Sequence, residues 1–282
     1  MTVDRFLEGR TISLSVSESP DLKRLGLGEA HLGDALVELA RHLIAEGAIL
    51  LYGGDLRDGG FTERLFQLAY RHAHDVSKPV LINPQPWPIH ITADWSKLEA
   101  AAKAVAPAAT MEFLDPRGVP MPPAQRAAEL TPIRLTAEDW EAGLTAMRRE
   151  VARRADAAIL VGGKMDGYKG RMPGVVEEAW EAMNAESPVY LVGGFGGAAG
   201  SLCEEFGLLG PRTQQSHQSP AATLFSNLTE ANLRTGLDGS ELRQLAKSRN
   251  TDEIVALVLR GLRRLVAPKG ADDQRSAWAS PG

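Results

Sequence analysis

The residues that could do chemistry in this chain are concentrated between positions 161 and 178. This segment contains paired glycines, three cations and two adjacent carboxylates: Gly162, Gly163, Lys164, Lys169, Arg171, Glu177 and Glu178. Glycines let bare backbone N–H groups approach an anion, and the start of a following helix adds partial positive charge. The segment therefore predicts a phosphate-binding turn. Its two carboxylates, Glu177 and Glu178, exceed what anion capture requires.

Two predicted elements position this segment. The apolar run at 157–161 is typical of a parallel strand that is covered on both faces. From about residue 174 the apolar residues recur at the helical period, so Gly174 opens a helix and the two glutamates lie near its start. The order strand, glycine turn, helix brings the charged side chains and the helix N-terminus to one point.

The same strand-to-turn pattern occurs twice more, after strands predicted at 48–52 and 189–192. The turn residues that we predict to contact a ligand are Gly53, Gly54, Asp55, Arg57, Gly60 and Glu63 after the first, and Gly193, Gly194, Gly196 and Gly197 after the second. Glu63 could instead serve only as a capping carboxylate in the first turn of the next helix. Because the carboxyl ends of parallel strands share one edge of a sheet, we expect the three turns to form one pocket.

Further candidates come from other loops. Ser17 and Ser19 follow a strand predicted at 11–16, where serine hydroxyls could bind phosphate or could simply form a turn with Pro20. Tyr168 completes the predicted ligand-binding set in the 161–178 segment. No metal site is expected, since His72 and His74 are two residues apart on a predicted helix and point to different faces.

Alternating strands and helices predict an α/β fold, a Rossmann-like, doubly wound and mainly parallel sheet with helices on both faces. We expect a single domain over residues 1–266, with an elaboration at about 84–136 on the sheet edge or over the site. Thr136 is predicted to begin a helix over 137–154, with Asp139 in the reciprocal capping position. Residues 267–282 have the composition of a disordered tail or linker.

Composition narrows the function classes. A net charge of −5 argues against a nucleic-acid partner, because proteins that neutralise many phosphates of a polymer are usually basic. No segment is apolar for long enough to span a membrane, and there is no apolar signal core. With Cys203 as the single cysteine no internal disulfide can form, so we expect a cytoplasmic protein with a buried structural thiol. A G-x-G-x-x-G fingerprint and a Walker A sequence are both missing, and no resident cofactor is expected.

The turns resemble those of a known superfamily. The segments Gly53-Gly54-Asp55-Leu56-Arg57-Asp58-Gly59-Gly60-Phe61-Thr62-Glu63, Val161-Gly162-Gly163-Lys164 and Pro173-Gly174-Val175-Val176-Glu177-Glu178 are similar to those of the SLOG superfamily. It includes the LOG phosphoribohydrolases, the Smf/DprA domains, the ligand-binding domain of TRPM channels and prokaryotic anti-phage sensors. The resemblance covers roughly residues 10–265. It implies a Rossmann-like fold that binds a nucleotide or an NAD-derived molecule such as ADP-ribose.

The resemblance leaves two functions open. LOG enzymes carry P-G-G-x-G-T-x-x-E, in which the glycines hold phosphate and the glutamate serves glycosidic cleavage. Here Pro173-Gly174 is followed by Val175-Val176-Glu177, without the second glycine and the Gly-Thr pair. We therefore expect a sensor domain for a nucleotide signal, in a bacterial defence or stress system. The alternative is a nucleotide N-glycosidase that uses Glu177 or Glu178. A sensor needs an output, so we expect a homo-oligomer, or an effector that is fused to this chain or is its partner.

Overall fold

The computed structural model describes residues 5–54, 56–57, 59–72, 78–129, 134–210 and 220–266. Asp55, Asp58 and His74, which are named above, lie outside these ranges, as does the predicted tail.

The described strands form one seven-stranded sheet. They are β1 (Thr11–Ser17), β2 (Ile49–Leu51), β3 (Leu81–Gln85), β4 (Ala109–Leu114), β5 (Pro120–Met121), β6 (Ala157–Gly162) and β7 (Val189–Val192). Their order across the sheet is β5-β4-β3-β2-β1-β6-β7. Every neighbouring pair is parallel except β4 with β5. The predicted Rossmann-like α/β class is confirmed.

Helices cover both faces of this sheet. The helices are α1 (Glu29–Ala45), α2 (Phe61–His72), α3 (Trp87–His90), α4 (Trp95–Val105), α5 (Pro123–Ala128), α6 (Ala137–Arg154), α7 (Gly174–Asn184), α8 (Gly197–Glu205), α9 (Pro220–Phe225), α10 (Gly239–Lys247) and α11 (Thr251–Leu265). One face packs against α1, α2 and α11, and the other against α7 and α8, with α6 beside α7. As predicted, α6 begins with a capping box: Thr136 Oγ1 accepts from the Asp139 N–H at 3.2 Å, and Asp139 Oδ2 accepts from the Thr136 N–H at 2.8 Å.

The position of β6 explains its continuous apolar sequence. Ala157, Ile159 and Val161 belong to the core under α1 and α11, whereas Ala158 and Leu160 belong to the core under α7 and α8. Every residue of β6 is therefore buried, as expected for a parallel strand between two helical layers.

The strand order reverses next to β1. The chain runs outward from β1 to β2, β3 and β4, then returns through α6 to place β6 on the other side of β1. Ser17 and Gly162 are paired at the carboxyl ends of β1 and β6. Doubly wound sheets bind ligands in the crevice that forms where the order reverses, so this edge is where a site is expected.

The described part of residues 84–136 lies at the β4–β5 edge. A buried arginine organises it: Arg126 is 2% exposed, and its Nε donates to His90 Nδ1 at 2.9 Å. His90 Nε2 lies 2.7 Å from the carbonyl oxygen of Leu114. Burial lowers the pKa of His90 to about 4, which keeps the imidazole neutral so that Nδ1 can accept this hydrogen bond.

The turns after β6 and β7 pack directly on each other. The Ala198 N–H donates to the carbonyl oxygen of Gly163 at 3.0 Å. Gly197 has a φ of +61°, and a Cβ added there would lie 2.3 Å from that same oxygen. Only glycine satisfies both the left-handed backbone and the close approach.

We expect Gly197→Ala to destabilise the fold far more than Gly167→Ala. Gly167 has a similar φ of +68°, but nothing lies within 4 Å of an added Cβ. Gly167→Ala should therefore cost only the left-handed strain, about 1–2 kcal/mol. Gly197→Ala adds a backbone collision to the same strain. Urea unfolding of both variants measures the difference, and equal losses would contradict this packing.

Candidate functional site

A cleft of about 170 Å³ lies at the carboxyl ends of β1 and β2, beside the start of α7. Its lining residues are Leu14, Ser15, Val16, Ser17, Tyr52, Gly53, Gly54, Arg57, Phe61, Arg148, Gly174, Val175 and Glu178. A cavity of about 20 Å³ adjoins it and shares Ser15, Gly53, Arg148 and Glu178 with it. The cleft is therefore at the point where the strand order reverses.

Six of the residues that the sequence singled out meet in this cleft: Ser17, Gly53, Gly54, Arg57, Gly174 and Glu178. The other described candidates lie outside its lining. Ser19 is buried, and its Oγ accepts from the Asp21 N–H at 3.3 Å. Gly193 and Gly194 pack against the backbone of residues 246–248, so close that a Cβ on Gly194 would lie 1.9 Å from the Ser248 oxygen. The turn after β7 thus packs against other loops and does not line the cleft.

The cations of the 161–178 segment contact protein groups. Lys164 Nζ lies 2.8 Å from Glu18 Oε2, Lys169 Nζ lies 3.8 Å from the centroid of the Trp140 ring, and Arg171 Nη2 lies 3.7 Å from Glu181 Oε1 and 3.9 Å from Glu177 Oε1. The contact of Lys169 holds the segment against α6, and the contacts of Arg171 hold it against α7. Tyr168, in the same segment, is 42% exposed.

Helix N-termini are the fold's other source of positive charge. They differ in which groups accept hydrogen bonds from their first N–H groups. At α8 the Gly197 N–H donates to Asp21 Oδ2 at 2.8 Å. Before α2 the Gly59 N–H donates to Glu63 Oε2 at 2.6 Å, which is the capping role weighed above for this glutamate. At α7 the cap residue is Pro173, and no side chain among the described residues caps the helix. Of these three turns, the one at α7 leaves its first N–H groups available to an anion.

A buried ion pair fixes the start of α7. Glu177 is fully buried, and it accepts hydrogen bonds from Arg148 Nη1 and from Thr145 Oγ1, both on α6. Arg148 is itself only 8% exposed, and its Nη2 lies 3.0 Å from where a Cβ on Gly174 would be. Glu177 is thus committed to tying α6 to α7, and it does not line the cleft.

Glu178, in contrast, faces the cleft. Its side chain is 27% exposed, its Oε1 lies 3.6 Å from Arg148 Nε, and it lines the cleft together with Ser15. Desolvation raises the pKa of Glu178 and the charge of Glu177 adds to this, although Arg148 and Ser15 oppose it. A carboxyl group whose pKa is raised stays protonated to a higher pH than an ordinary glutamate, and at a cleft it can act as a general acid or base.

This chain is similar to known proteins at the level of its family. A family model described as SLOG cluster2 matches residues 6–260. The chain belongs to the SLOG family. This confirms the resemblance drawn from the turns and makes the chain a Rossmann-like domain of a nucleotide-related family. Among solved structures, the X-ray structure of TM1055, a structural-genomics target, is 17% identical with a TM-score of 0.41. The match covers 69% of this chain and 81% of that one. No curated protein matches.

Two residues of this SLOG site were missed in the sequence. Arg148 is four positions after Leu144, on the apolar stripe of α6, and a cation on a buried stripe signals a buried carboxylate partner. Ser15 alternates with Ser13 and Ser17 along β1, so the three hydroxyls share one face of the strand. The arginine on the apolar stripe and the alternating serines are both visible in the sequence. The residues that they meet in the fold, such as Glu177 for Arg148, are distant in sequence.

Two buried amides support the Gly53-Gly54 turn of the SLOG cleft. Asn83 and Gln85, at the carboxyl end of β3, are both fully buried. Asn83 Nδ2 donates to the Tyr52 carbonyl at 2.6 Å, and Gln85 Nε2 donates to the Gly54 carbonyl at 3.1 Å. These bonds fix the orientation of the turn's peptide groups from the β3 side.

The described residues bear on two further features, metal clusters and membrane-spanning helices. In the ranges that the structure describes, no group of three or more His, Cys, Asp or Glu residues could hold a metal ion. Within the same ranges, no helix combines the length and the apolarity needed to cross a bilayer.

We expect Glu177→Gln to destabilise the SLOG domain by about 3–5 kcal/mol, because it removes the buried carboxylate that is hydrogen-bonded to Arg148. Glu178→Gln is the matched control. The folded-state pKa of Glu178 is raised, so its contribution to stability is present below its ordinary pKa of 4.5 and is lost as pH rises through the raised value. Glu178→Gln should therefore be neutral or stabilising at pH 7. Urea unfolding at pH 4 and pH 7 tests both, and a larger loss for Glu178→Gln would reverse the assignment.

Proposed function

We propose that the cleft binds a nucleotide or an NAD-derived molecule of the ADP-ribose type, with a phosphate at the N-terminus of α7. The observation that carries this proposal is the uncapped start of α7 beside Arg148 and Gly174, at the reversal point of the sheet. Backbone N–H groups, the helix dipole and a nearby guanidinium all favour an anion there. Membership of a nucleotide-related family supports the same ligand class.

The size of the cleft limits how much of the ligand it encloses. Sites for drug-sized molecules usually measure about 300–1,000 Å³. At about 170 Å³ the cleft has room for a phosphate and part of a sugar. In our proposal the rest of the ligand extends over the Gly53-Gly54 turn and Arg57.

Sensing of such a ligand, in a cytoplasmic defence or stress response, is the role that we propose. The setting rests on the superfamily resemblance, and the buried thiol of Cys203 suits a reducing compartment. The output of the sensor would come from a homo-oligomer, or from an effector that is fused to this chain or is its partner.

We expect ADP-ribose at about 100 times its dissociation constant to stabilise the protein by about 2.7 kcal/mol. Gly174→Ala should weaken this binding about tenfold, the equivalent of one lost charge-assisted hydrogen bond. The added methyl group crowds the Arg148 guanidinium at the anion position but suits a helix. Calorimetry with ADP-ribose, cyclic ADP-ribose, NAD and AMP measures the affinities.

The matched control for that experiment is Gly28→Ala. Gly28 is the cap residue of α1, and an added Cβ would meet only His31 Nδ1 at 4.0 Å. Gly28→Ala should leave the affinity unchanged. The proposed phosphate position is wrong if no member of the panel binds the wild-type protein. It is also wrong if Gly174→Ala and Gly28→Ala bind ADP-ribose with equal affinity.

A second candidate is favoured by one specific observation, the position of Glu178 in the cleft. Aligned on Gly174, the G-T-x-x-E half of the LOG pattern ends at Glu178, with Val175 in the threonine position. In an N-glycosidase, protonated Glu178 would donate its proton to the leaving base as the C1′–N bond breaks. A water oxygen would bond to C1′ and return a proton to the carboxylate.

Product analysis separates the hydrolase from the sensor. If the domain is a hydrolase, AMP or NAD incubated with it should release a free base, and Glu178→Gln should abolish release while retaining binding. Arg171→Gln is a useful comparison, because Arg171 contacts Glu177 and Glu181 and does not line the cleft. Recovery of intact ligand after long incubation would exclude the hydrolase for that ligand.

A further inference from the structure

Glu18 joins the loops that follow three different strands. It comes directly after β1, whereas its partners Arg57 and Lys164 follow β2 and β6. Glu18 Oε1 lies 3.2 Å from Arg57 Nη1, and Glu18 Oε2 lies 2.8 Å from Lys164 Nζ. One carboxylate thus bridges two cations beside the cleft, using a different oxygen for each.

The bridge is adjacent to the proposed ligand. Arg57 lines the cleft, and so does Ser17, the residue before Glu18. Hydrogen bonds from Lys164 and then from Arg57 lower the pKa of Glu18, so this carboxylate stays ionised at neutral pH. The two oxygens of the Glu18 carboxylate face the two cations in the same way as two oxygens of a phosphate group would.

The three side chains of the bridge are partly exposed, which makes its ion pairs weak. The side chains of Glu18, Arg57 and Lys164 are 32%, 60% and 52% exposed. Ion pairs this exposed contribute little to stability, unlike the buried pair of Arg148 and Glu177. Glu18 therefore contributes little to the stability of the fold. Replacing its carboxylate by another anion should cost little free energy.

We infer that Glu18 is an internal competitor for the anionic group of the ligand, and that it weakens the binding of ligands whose phosphate reaches the two cations. This inference rests on the proposed function. A phosphate that reaches Arg57 and Lys164 must displace the Glu18 carboxylate. Removal of this carboxylate should therefore tighten the binding of such ligands, because the phosphate then meets both cations without competition.

Glu18→Gln tests the inference, because it removes the competing charge and keeps the shape of the side chain. Calorimetry at one fixed ionic strength would compare ADP-ribose and AMP as probes. We expect Glu18→Gln to bind ADP-ribose about fivefold more tightly or better, a factor typical of coupled binding equilibria. Its affinity for AMP should rise as well, because the same carboxylate competes with any phosphate for the two cations.

The control for net charge is Glu99→Gln, which removes one carboxylate from an exposed pair with Lys103 on α4. It should leave both affinities unchanged. Glu18→Asp is a second variant, whose shorter side chain spans the two cations less well, and it should shift both affinities in the same direction as Glu18→Gln.

The outcomes separate the two proposals. If the wild-type protein binds ADP-ribose and Glu18→Gln binds it equally well or less well, Glu18 is a scaffold and the inference is wrong, while the proposed function stands. An affinity gain for Glu99→Gln that matches the gain for Glu18→Gln would also overturn the inference. If neither the wild-type protein nor Glu18→Gln binds either probe, both proposals fail.

Discussion

The buried ion pair between Arg148 and Glu177 is the interaction on which the rest of the site depends. It links α6 to the first turn of α7. Along the chain, α6 precedes β6 and α7 follows it. A buried pair of this kind is stable only while both partners are present. Because Glu177 is used for this contact, Glu178 is the glutamate of the adjacent pair that faces the cleft. The pair also places the guanidinium of Arg148 beside the uncapped start of α7.

Charges in this domain are divided between structure and ligand. The cations of the 161–178 segment, which look in the sequence like a phosphate loop, contact Glu18, Trp140 and Glu181. The turns before α2 and α8 have their own carboxylates, from Glu63 and Asp21. In our proposal an anion therefore binds at the start of α7, where backbone N–H groups and Arg148 meet. Glu18 then competes with the ligand for the neighbouring cations, Arg57 and Lys164.

Local patterns predicted the fold well. The apolar run of β6, the capping box of Thr136 and Asp139, and the Gly-Gly turns after β2 and β6 all depend on short-range sequence. The two-residue strand β5 and the one-turn helix α3 were not predicted. Such elements depend on their neighbours, since neither is long enough to show a period.

The site was predicted only in part, because its contacts are long-range. Ser17, Gly53, Gly54, Arg57, Gly174 and Glu178 meet in the cleft as the turn pattern indicated. Nothing local distinguishes Glu177 from Glu178, and the distinction comes from Arg148, which is about thirty residues away in sequence. The Gly-Gly pair after β7 resembles the pair after β2 in sequence, yet it packs against the loop that follows α10. The sequence shows where a turn contains glycines, but it does not show whether the group that lies close to them is protein backbone or a ligand.

The central claim is that an anionic ligand binds at the start of α7 and not at the other helix N-termini of this edge. Amide chemical shifts during a titration with ADP-ribose test it most directly, because each N-terminus reports separately. The account predicts saturating shifts for the Gly174, Val175 and Val176 amides, and little change for the Gly197 amide, which Asp21 already occupies. Saturating shifts at Gly197 with none at Gly174 would contradict it.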